Sequence, residues 1–599
     1  MSATNPKNRN RETTPWFSLL LGVALLAFIA QFLGFWSQLE QPLGNSLYSA
    51  ANLLLNSEFI KPEEMNLRTG FIIIGQILGY IAFYGILLRL GWVLLGDNLR
   101  AAHVKWRYSD HIIVCSLNGQ GQAFISNLRN SDRKQQIVVL LDHIESEQEN
   151  WCQQQGVMLL YGDATCANDL RAAAATSAKA VIACGASTDI NLQIAKAAQE
   201  VMEERPANTP ALDLYLAVSD SMLTDGLGNE NYRHFLQPSE RLNPCAYNAD
   251  TLLARWYFNQ YPPHTWADQH GQQQVHLVFA GFSPLVEALI CQYAKISPYK
   301  DFAPPVFTLL GEGAEQQRQL LVARYPVFAN GRTGAEQVIG GLYALECNTI
   351  FKLDETKLAQ VAALTGANVP VTAVLCCGSD DEANFRRAMS LHQQTLLFNC
   401  WQVPFYVRLG QSEGIHALLD SANKDTTTPL IPFGMAEQIF DLARLAQMER
   451  NARAVHEAYR QSMLQADPGT AMSADSMKPW EQLAETYRAA NRRSGDHLPV
   501  KLASIGIPFK PGKPLVLDAS IRLDEPAERR ELLSRLEHRS WRHERLVNGW
   551  RYGETRNNPE RLHPSIVLWE DLSESERKKD LNQIESVRKV LASDNKISI

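Results

Sequence analysis

The chain has no excess of basic charge: 57 Lys and Arg stand against 64 Asp and Glu, a formal net charge of −7. A general basic surface for nucleic acid is therefore excluded. The ten cysteines, from Cys115 to Cys400, lack metal-ligand spacing, and Cys376 and Cys377 are adjacent within an apolar run. Neither a metal site nor a disulfide framework is expected, and a reducing compartment fits. There is no nucleophile elbow, no zinc spacing and no ordered histidine and carboxylate pair, so no catalytic residue is assigned and the chain is read as a non-enzyme. A length of 599 residues exceeds what one core can hold and predicts several domains.

What is present first is apolar length. Phe17 to Trp36 is interrupted only by Ser18 and Gln31, and at about 1.5 Å per residue it can cross a hydrocarbon layer of about 30 Å. Phe71 to Leu95 forms a second run, carrying Gln76 and, near its far end, Arg89, placed to snorkel. No small-residue cleavage motif follows the first run. Lys7, Arg9 and Arg11 precede it, and Arg100, Lys105 and Arg107 follow the second, while the loop between is rich in glutamate. The positive-inside rule then predicts a two-pass protein of the inner (plasma) membrane, in contact with the lipid bilayer, with both termini cytoplasmic. Within the loop Leu47, Ala51, Leu54, Leu55 and Phe59 have helical spacing, which predicts a short amphipathic or re-entrant helix. Gly75 and Gly79 have the spacing that lets helices approach closely in an oligomer.

After the membrane part, strand-like runs recur at His111 to Cys115, Ile137 to Asp142, Val157 to Tyr161, Ala180 to Ala183 and Leu214 to Val218, with helical material between. This alternation predicts an α/β doubly wound parallel sheet. The first strand enters a turn in which Ser116 and Asn118 replace the first two glycines of G-x-G-x-x-G and Gly121 keeps the third. Asp142 ends the second strand, 21 residues beyond Gly121, where an acid can accept from ribose hydroxyls. The third strand leads into Gly162-Asp163-Ala164-Thr165, and the fourth into an Asp-x-Asn turn at Asp189 and Asn191. This ordered set, from about Asp110 to Val218, resembles the TrkA-N or RCK (regulator of potassium conductance) family, the cytoplasmic nucleotide-binding lobes that regulate potassium transporters and channels, and the resemblance implies a bacterial membrane protein. The resemblance implies a Rossmann lobe that binds a nucleotide, NAD(H) or another adenine nucleotide, through Ser116, Asn118, Gly121, Asp142, Asp163 and Ala164.

A second cycle follows: strands at His276 to Ala280, Val306 to Leu310, Ile350 to Leu353, Thr372 to Cys376 and Phe405 to Leu409. Its turn keeps only Gly281, its second strand ends without an acid, and its acidic turn runs Asp380-Asp381-Glu382-Ala383-Asn384. It is read as a degenerate, structural lobe. Two-span potassium channels share the order of helix, pore helix, helix and Rossmann lobes, and Leu47-Tyr48-Ser49-Ala50 resembles their pore-helix entry. Where they carry a filter glycine, however, this chain reads Leu55-Asn56-Ser57-Glu58-Phe59, so a standard potassium filter is not expected.

The C-terminal part repeats itself. Trp480, Glu481, Leu483, Glu485 and Arg488 line up with Trp569, Glu570, Leu572, Glu574 and Arg577. Such self-similarity predicts a pseudo-twofold, mainly helical module with a cleft between its halves. The run from Glu537 to Gly553, with His563-Pro564 and Leu568 to Leu572, resembles the RyR repeat domain first named in ryanodine receptors. Trp541, Arg545, Trp550, Tyr552, His563 and Trp569 are the candidate cleft residues, because aromatic faces stack on bases and arginines reach phosphates.

The expected organisation is an N-terminus at 1–15, a two-helix transmembrane region at 16–96 and a first lobe at 110–220. A linker at 221–273, a second lobe at 274–412, a helical linker at 430–477 and a RyR-like domain at 478–599 follow. The expected function is that of a nucleotide-responsive regulatory membrane protein, channel-like or linked to potassium transport, acting as a homo-oligomer (dimer or tetramer). The alternative is a membrane-anchored nucleotide sensor or effector, for example in bacterial defence, whose spans only anchor or disrupt the membrane.

Overall fold

The computed structural model describes residues 15–38, 42–55, 70–220, 223, 239–348, 353–410, 413–423, 429–466, 475–483, 485–507 and 526–580. They fall into two units, Met1–Arg107 and Tyr108–Ile599.

The first unit consists of a helix Pro15–Leu33 with a π-turn at Gly34–Gln38, a short helix Leu43–Leu55 and a long helix Gly70–Arg107. A Cβ on Gly75 would lie 2.5 Å from Gln31 Cγ and 2.8 Å from the Ala27 carbonyl oxygen, and one on Gly34 would lie 2.3 Å from Ile72 Cγ1. The small residue at Gly75 is thus used for packing inside the chain, where the spacing had suggested an oligomer contact. The short helix covers Leu47, Ala51, Leu54 and Leu55 of the predicted pore-like element, whereas Asn56 to Phe59 lie outside the described residues. Among the described residues no helix is long and apolar enough to cross a membrane. The long helix runs past Leu95 to Arg107, leaving only residues 108–111 before the first strand.

The second unit contains two six-stranded, wholly parallel sheets. The first is built from β1 (Ile112–Val114), β2 (Ile137–Leu141), β3 (Met158–Tyr161), β4 (Ala180–Ala183), β5 (Leu212–Ala217) and β6 (Leu242–Tyr247), in the order β3-β2-β1-β4-β5-β6. The second contains β7 (Gln274–Ala280), β8 (Ala303–Gly311), β9 (Gly341–Glu346), β10 (Ala373–Cys376), β11 (Phe405–Arg408) and β12 (Leu430–Phe433), and its order β12-β11-β10-β7-β8-β9 is the same topology read from the other edge. Both are doubly wound Rossmann sheets, with β1 central and buried along its length and β7 central and buried from Val275 on.

Three strands lie where the sequence reading had not put them. β6 falls inside the expected linker 221–273, where it is followed by the helices Ala249–Gln260 and Pro263–Gln269. β9 occupies 341–346; of the expected Ile350 to Leu353, residues 350–352 lie outside the described set and Leu353 is in no strand. β12 extends the second lobe beyond residue 412.

The C-terminal module is a duplicated helix, 3-10 turn, helix. Its first half is Leu442–Ala466, Trp480–Gln482 and Glu485–Ser504; its second is Ala527–Val547, Trp569–Asp571 and a helix that begins at residue 574. His456 Nε2 donates to the Lys478 carbonyl at 2.8 Å, and its ring is 5.9 Å from Trp480. His538 Nε2 donates to the Val567 carbonyl at 2.9 Å, and its ring is 6.0 Å from Trp569. Arg488 and Arg577 lie over the same two tryptophans at 5.3 and 5.5 Å and donate to the Trp480 and Trp569 carbonyls. The repeat therefore includes the helix starting at Leu442, which the sequence reading had placed in a linker.

One apolar core runs through the unit, taking Phe124 and Tyr247 from the first lobe, Phe279 and Leu289 from the second and Leu546 and Trp550 from the module. The module docks on the C-terminal end of the helix Pro284–Ile296, whose last carbonyls have no donor within the helix. His543 Nδ1 donates to Ala294 O at 2.9 Å, Ser540 Oγ to Lys295 O at 2.8 Å and His497 Nε2 to Pro298 O at 2.8 Å.

Candidate functional site

The mouth of the first lobe lies at the carboxyl ends of β1, β2 and β4. The helix Gly119–Ser131 starts there, and its first amides form a ready anion site. Asn118 is its N-cap: Oδ1 accepts from Gln120 N and Gly121 N, both at 3.1 Å, and Nδ2 donates to the Cys184 carbonyl at 2.6 Å. Asn118 N in turn donates to Ser116 Oγ at 3.2 Å. The side chain that replaced a glycine thus takes up two of the amides a phosphate would use. Gly121 is required, because a Cβ there would lie 2.0 Å from the Ser116 carbonyl oxygen. This is the helix-to-strand approach that the third glycine of the motif serves.

Asp142 follows β2 and is exposed, as a ribose acceptor must be. Asp163 is also exposed, but its Oδ1 accepts from Thr165 N and Thr165 Oγ1, and its backbone N–H donates to Asp169 Oδ2. Ala164 is buried beside it. Asp163 shapes its own loop. The asparagine of the Asp-x-Asn turn has a structural role that sequence did not reveal: Asn191 Oδ1 accepts from Gly185 N at 2.7 Å, and Nδ2 donates to the Ala217 carbonyl at 2.9 Å, tying β4 to β5.

The second lobe repeats that clamp. Asn384 Oδ1 accepts from Gly378 N at 2.7 Å, and Nδ2 donates to the Gly378 and Arg408 carbonyls at 2.9 and 3.1 Å. Its mouth is otherwise different. Pro284 opens the helix, and Ser283 is turned away to donate to the Cys377 carbonyl. Arg387 lies where a Cβ on Gly281 or Gly378 would meet it, at 3.0 and 2.3 Å. Glu346 accepts from Gly313 N and Glu315 N, covering the next helix start.

In the C-terminal module the six candidates separate by depth. Arg545, buried, lies 4.9 Å over Trp550 and 5.8 Å over Trp541, and Trp541 meets His563 edge-on at 5.0 Å. Trp550 and Trp569 are core residues, and Trp569, under Arg577, joins this group through His538, whose ring stands 6.0 Å from it and 5.7 Å from Trp541. Tyr552 is 56% exposed. The reachable face is Trp541, His563 and the exposed Arg556, whose guanidinium donates to Tyr487 Oη. Burial, reinforced by Arg556 and Arg545, pushes the His563 imidazole down to about 3, so it stays neutral in a cation-rich setting. Arg556 was missed in the sequence, where it stands apart from the aromatic run.

No curated protein matches the chain. Among solved structures it is similar to GsuK bound to ADP, at 16% identity over 72% of this chain and 96% of that one, with a TM-score of 0.35. It is also similar to the GsuK channel bound to NAD, at 14% identity over 71% and 80% of the two chains, with a TM-score of 0.33. Residues 107–204 match the model of the calcium-activated potassium channel slowpoke-like RCK domain, and residues 513–598 match that of the RyR domain. The first Rossmann lobe is thus similar to an RCK domain and the C-terminal end to a RyR domain.

Proposed function

We propose that this chain is a two-pass inner-membrane protein, its termini cytoplasmic, that regulates potassium transport or a related flux in response to an adenine nucleotide and does not turn that nucleotide over. The membrane placement rests on the apolar runs Phe17 to Trp36 and Phe71 to Leu95 with their flanking basic residues, and the observation that carries the regulatory reading is the continuity of the helix Gly70–Arg107, which leaves four residues before β1 of the RCK-like lobe. A ligand that favours one arrangement of that domain by a few kcal/mol biases the helix with it. The nucleotide, NAD(H) or a relative, lies across the mouth of the first lobe with its ribose on Asp142. The assembly is a homo-oligomer, a dimer or tetramer, held in the lipid bilayer.

The filled helix start at Asn118 favours a second site for the same ligand class, the Trp541, His563 and Arg556 face. Titration of ADP and NADH into the full-length protein in nanodiscs separates the two. Asp142→Asn should weaken binding at least about tenfold, some 1.4 kcal/mol. If Arg556→Ala does so instead, the ligand belongs to the module. Binding of neither nucleotide would sink the proposal, and an unchanged ion flux in liposomes at saturating nucleotide would remove its transport half.

A further inference from the structure

The module helix Ala527–Val547 buries charge of both signs, and at Glu537 that charge is answered: Arg493 and Lys501, from the helix Glu485–Ser504, pair with it at 2.7 and 2.5 Å. Elsewhere in the chain carbonyls satisfy a buried guanidinium. Arg205, 2% exposed, donates to those of Ala175, Thr176, Ala178 and Pro210. Arg542 has neither arrangement.

Arg542 is 4% exposed, and among the described residues it makes one hydrogen bond, from Nη1 to the Val567 carbonyl at 3.2 Å, and no ion pair. Its Nε is shut off from solvent without an acceptor, while Nη2 is not shut off. Arg539, one turn earlier on the helix, is half-buried and donates only to the Phe302 carbonyl of the second lobe, at 3.4 Å. Asp301 and Glu570 are near enough for their charge to be felt, but both are exposed and neither pairs with these arginines. Arg535, a further turn back, is taken by Glu531. Burial, reinforced by Arg539, pushes the Arg542 guanidinium down to about 10. Two like charges at i and i+3, drawn out of water with one hydrogen bond each, are destabilising, so an anion that answers them stabilises this part of the fold.

The fork of N–H groups on a guanidinium matches the oxygens of a carboxylate or a phosphate. Two positive charges within one turn favour a doubly charged tetrahedral group over a singly charged planar one, and the exposed Asp301 and Glu570 beside them repel an extended polyanion. We propose that Arg539 and Arg542 hold a single phosphate group, free or as a small phosphomonoester, where the RyR-like module meets the second lobe. Arg539 reaches Phe302 of that lobe, and Ser540 and His543 of the same helix dock on the carbonyls of Lys295 and Ala294. The occupant therefore fastens the module to lobe two, and it is an input separate from the nucleotide sites above.

The probe is inorganic phosphate, added to the full-length protein in nanodiscs at constant ionic strength with chloride as the balancing ion. Phosphate should bind saturably in calorimetry, with a Kd of about 1 mM or below, and raise the unfolding temperature. Arg539→Gln, at a half-buried position that leaves the core intact, and Arg542→Met should each weaken it at least about tenfold. In phosphate-free buffer both variants should be as stable as the parent or more so, because each removes an unanswered charge, whereas an arginine with a purely structural role would be missed. Glycerol 3-phosphate and AMP, titrated beside phosphate, identify the source: the compound that binds most tightly by the Arg539-dependent route is the physiological form. No saturable phosphate effect at about 10 mM overturns the proposal, as does an effect that Arg539→Gln leaves unchanged or a loss of stability in both variants without phosphate. Asp142→Asn and Arg556→Ala should not alter the Arg539-dependent binding, so this proposal and the nucleotide reading can each fail alone.

Discussion

The two Rossmann lobes share a frame and differ at the mouth. Each has the same strand order, the same asparagine clamp (Asn191, Asn384) and a buried histidine at the start of its central strand (His111, His276). At the mouth, lobe one places one exposed asparagine side chain on two helix amides, while lobe two wedges Arg387 against two glycines and starts its helix with proline. The first arrangement can be displaced by turning one side chain. The second is built into the packing. The frame is what folding requires, and ligand access is decided by which side chain fills the space at the strand ends.

The largest expected effect that separates the lobes is with pH. Burial holds the His276 imidazole at about 4, with Nδ1 donating to the Val369 carbonyl, and lowers His111 too. An unfolded histidine titrates near 6.5, so between these values the unfolded chain binds more protons. Stability present above about pH 6.5 is therefore lost as pH falls toward 4, by about 3 kcal/mol for His276 alone. Urea midpoints at neutral and acid pH should show His276→Gln flattening this loss more than His111→Gln. Equal flattening would mean the two central strands are equally sensitive and the asymmetry is confined to the mouths.

Next in size is the clamp. Asn191→Ala and Asn384→Ala each leave a glycine amide without its acceptor and should each cost about 2 kcal/mol of unfolding free energy. Asn384→Ala should cost more, because Arg387 Nη1 also donates to Asn384 Oδ1, at 3.0 Å. A larger loss from Asn191→Ala would show that Arg387 is no wedge and that lobe two's mouth can open.

How far these features were legible follows from their chemistry. Strands such as Ile137–Leu141 and Gln274–Ala280 are apolar runs between turn signals, and the sequence marks them plainly. β6 and β12 close the sheets at their edges and contain Pro244 and Pro432, residues that read as loop although an edge strand tolerates them. β9 begins at Gly341, which blurs its start. The module's repeat was readable at Trp480 and Trp569, while its first helix was not, because only scattered positions such as His456 and His538 keep a shared role. For the site, the missing glycines at Ser116 and Asn118 were visible. That Asn118 Oδ1 would sit where a ligand oxygen could was not, since a cap and a binding residue have the same letter.

That ambiguity supports the smallest and most informative change. Asn118→Gly removes the side chain that occupies Gln120 N and Gly121 N, at a cost of a few tenths of a kcal/mol when glycine replaces an asparagine cap. If the first lobe is the nucleotide site, the freed amides should tighten ADP by about tenfold in calorimetry, with Asp142 still required. The matching change in lobe two, Arg387→Ala, should create no binding, because Pro284 and the covering Glu346 remain. Should Asn118→Gly leave affinity untouched while Arg556→Ala abolishes it, the mouth of lobe one is closed by design, and the two lobes differ only in how they are closed.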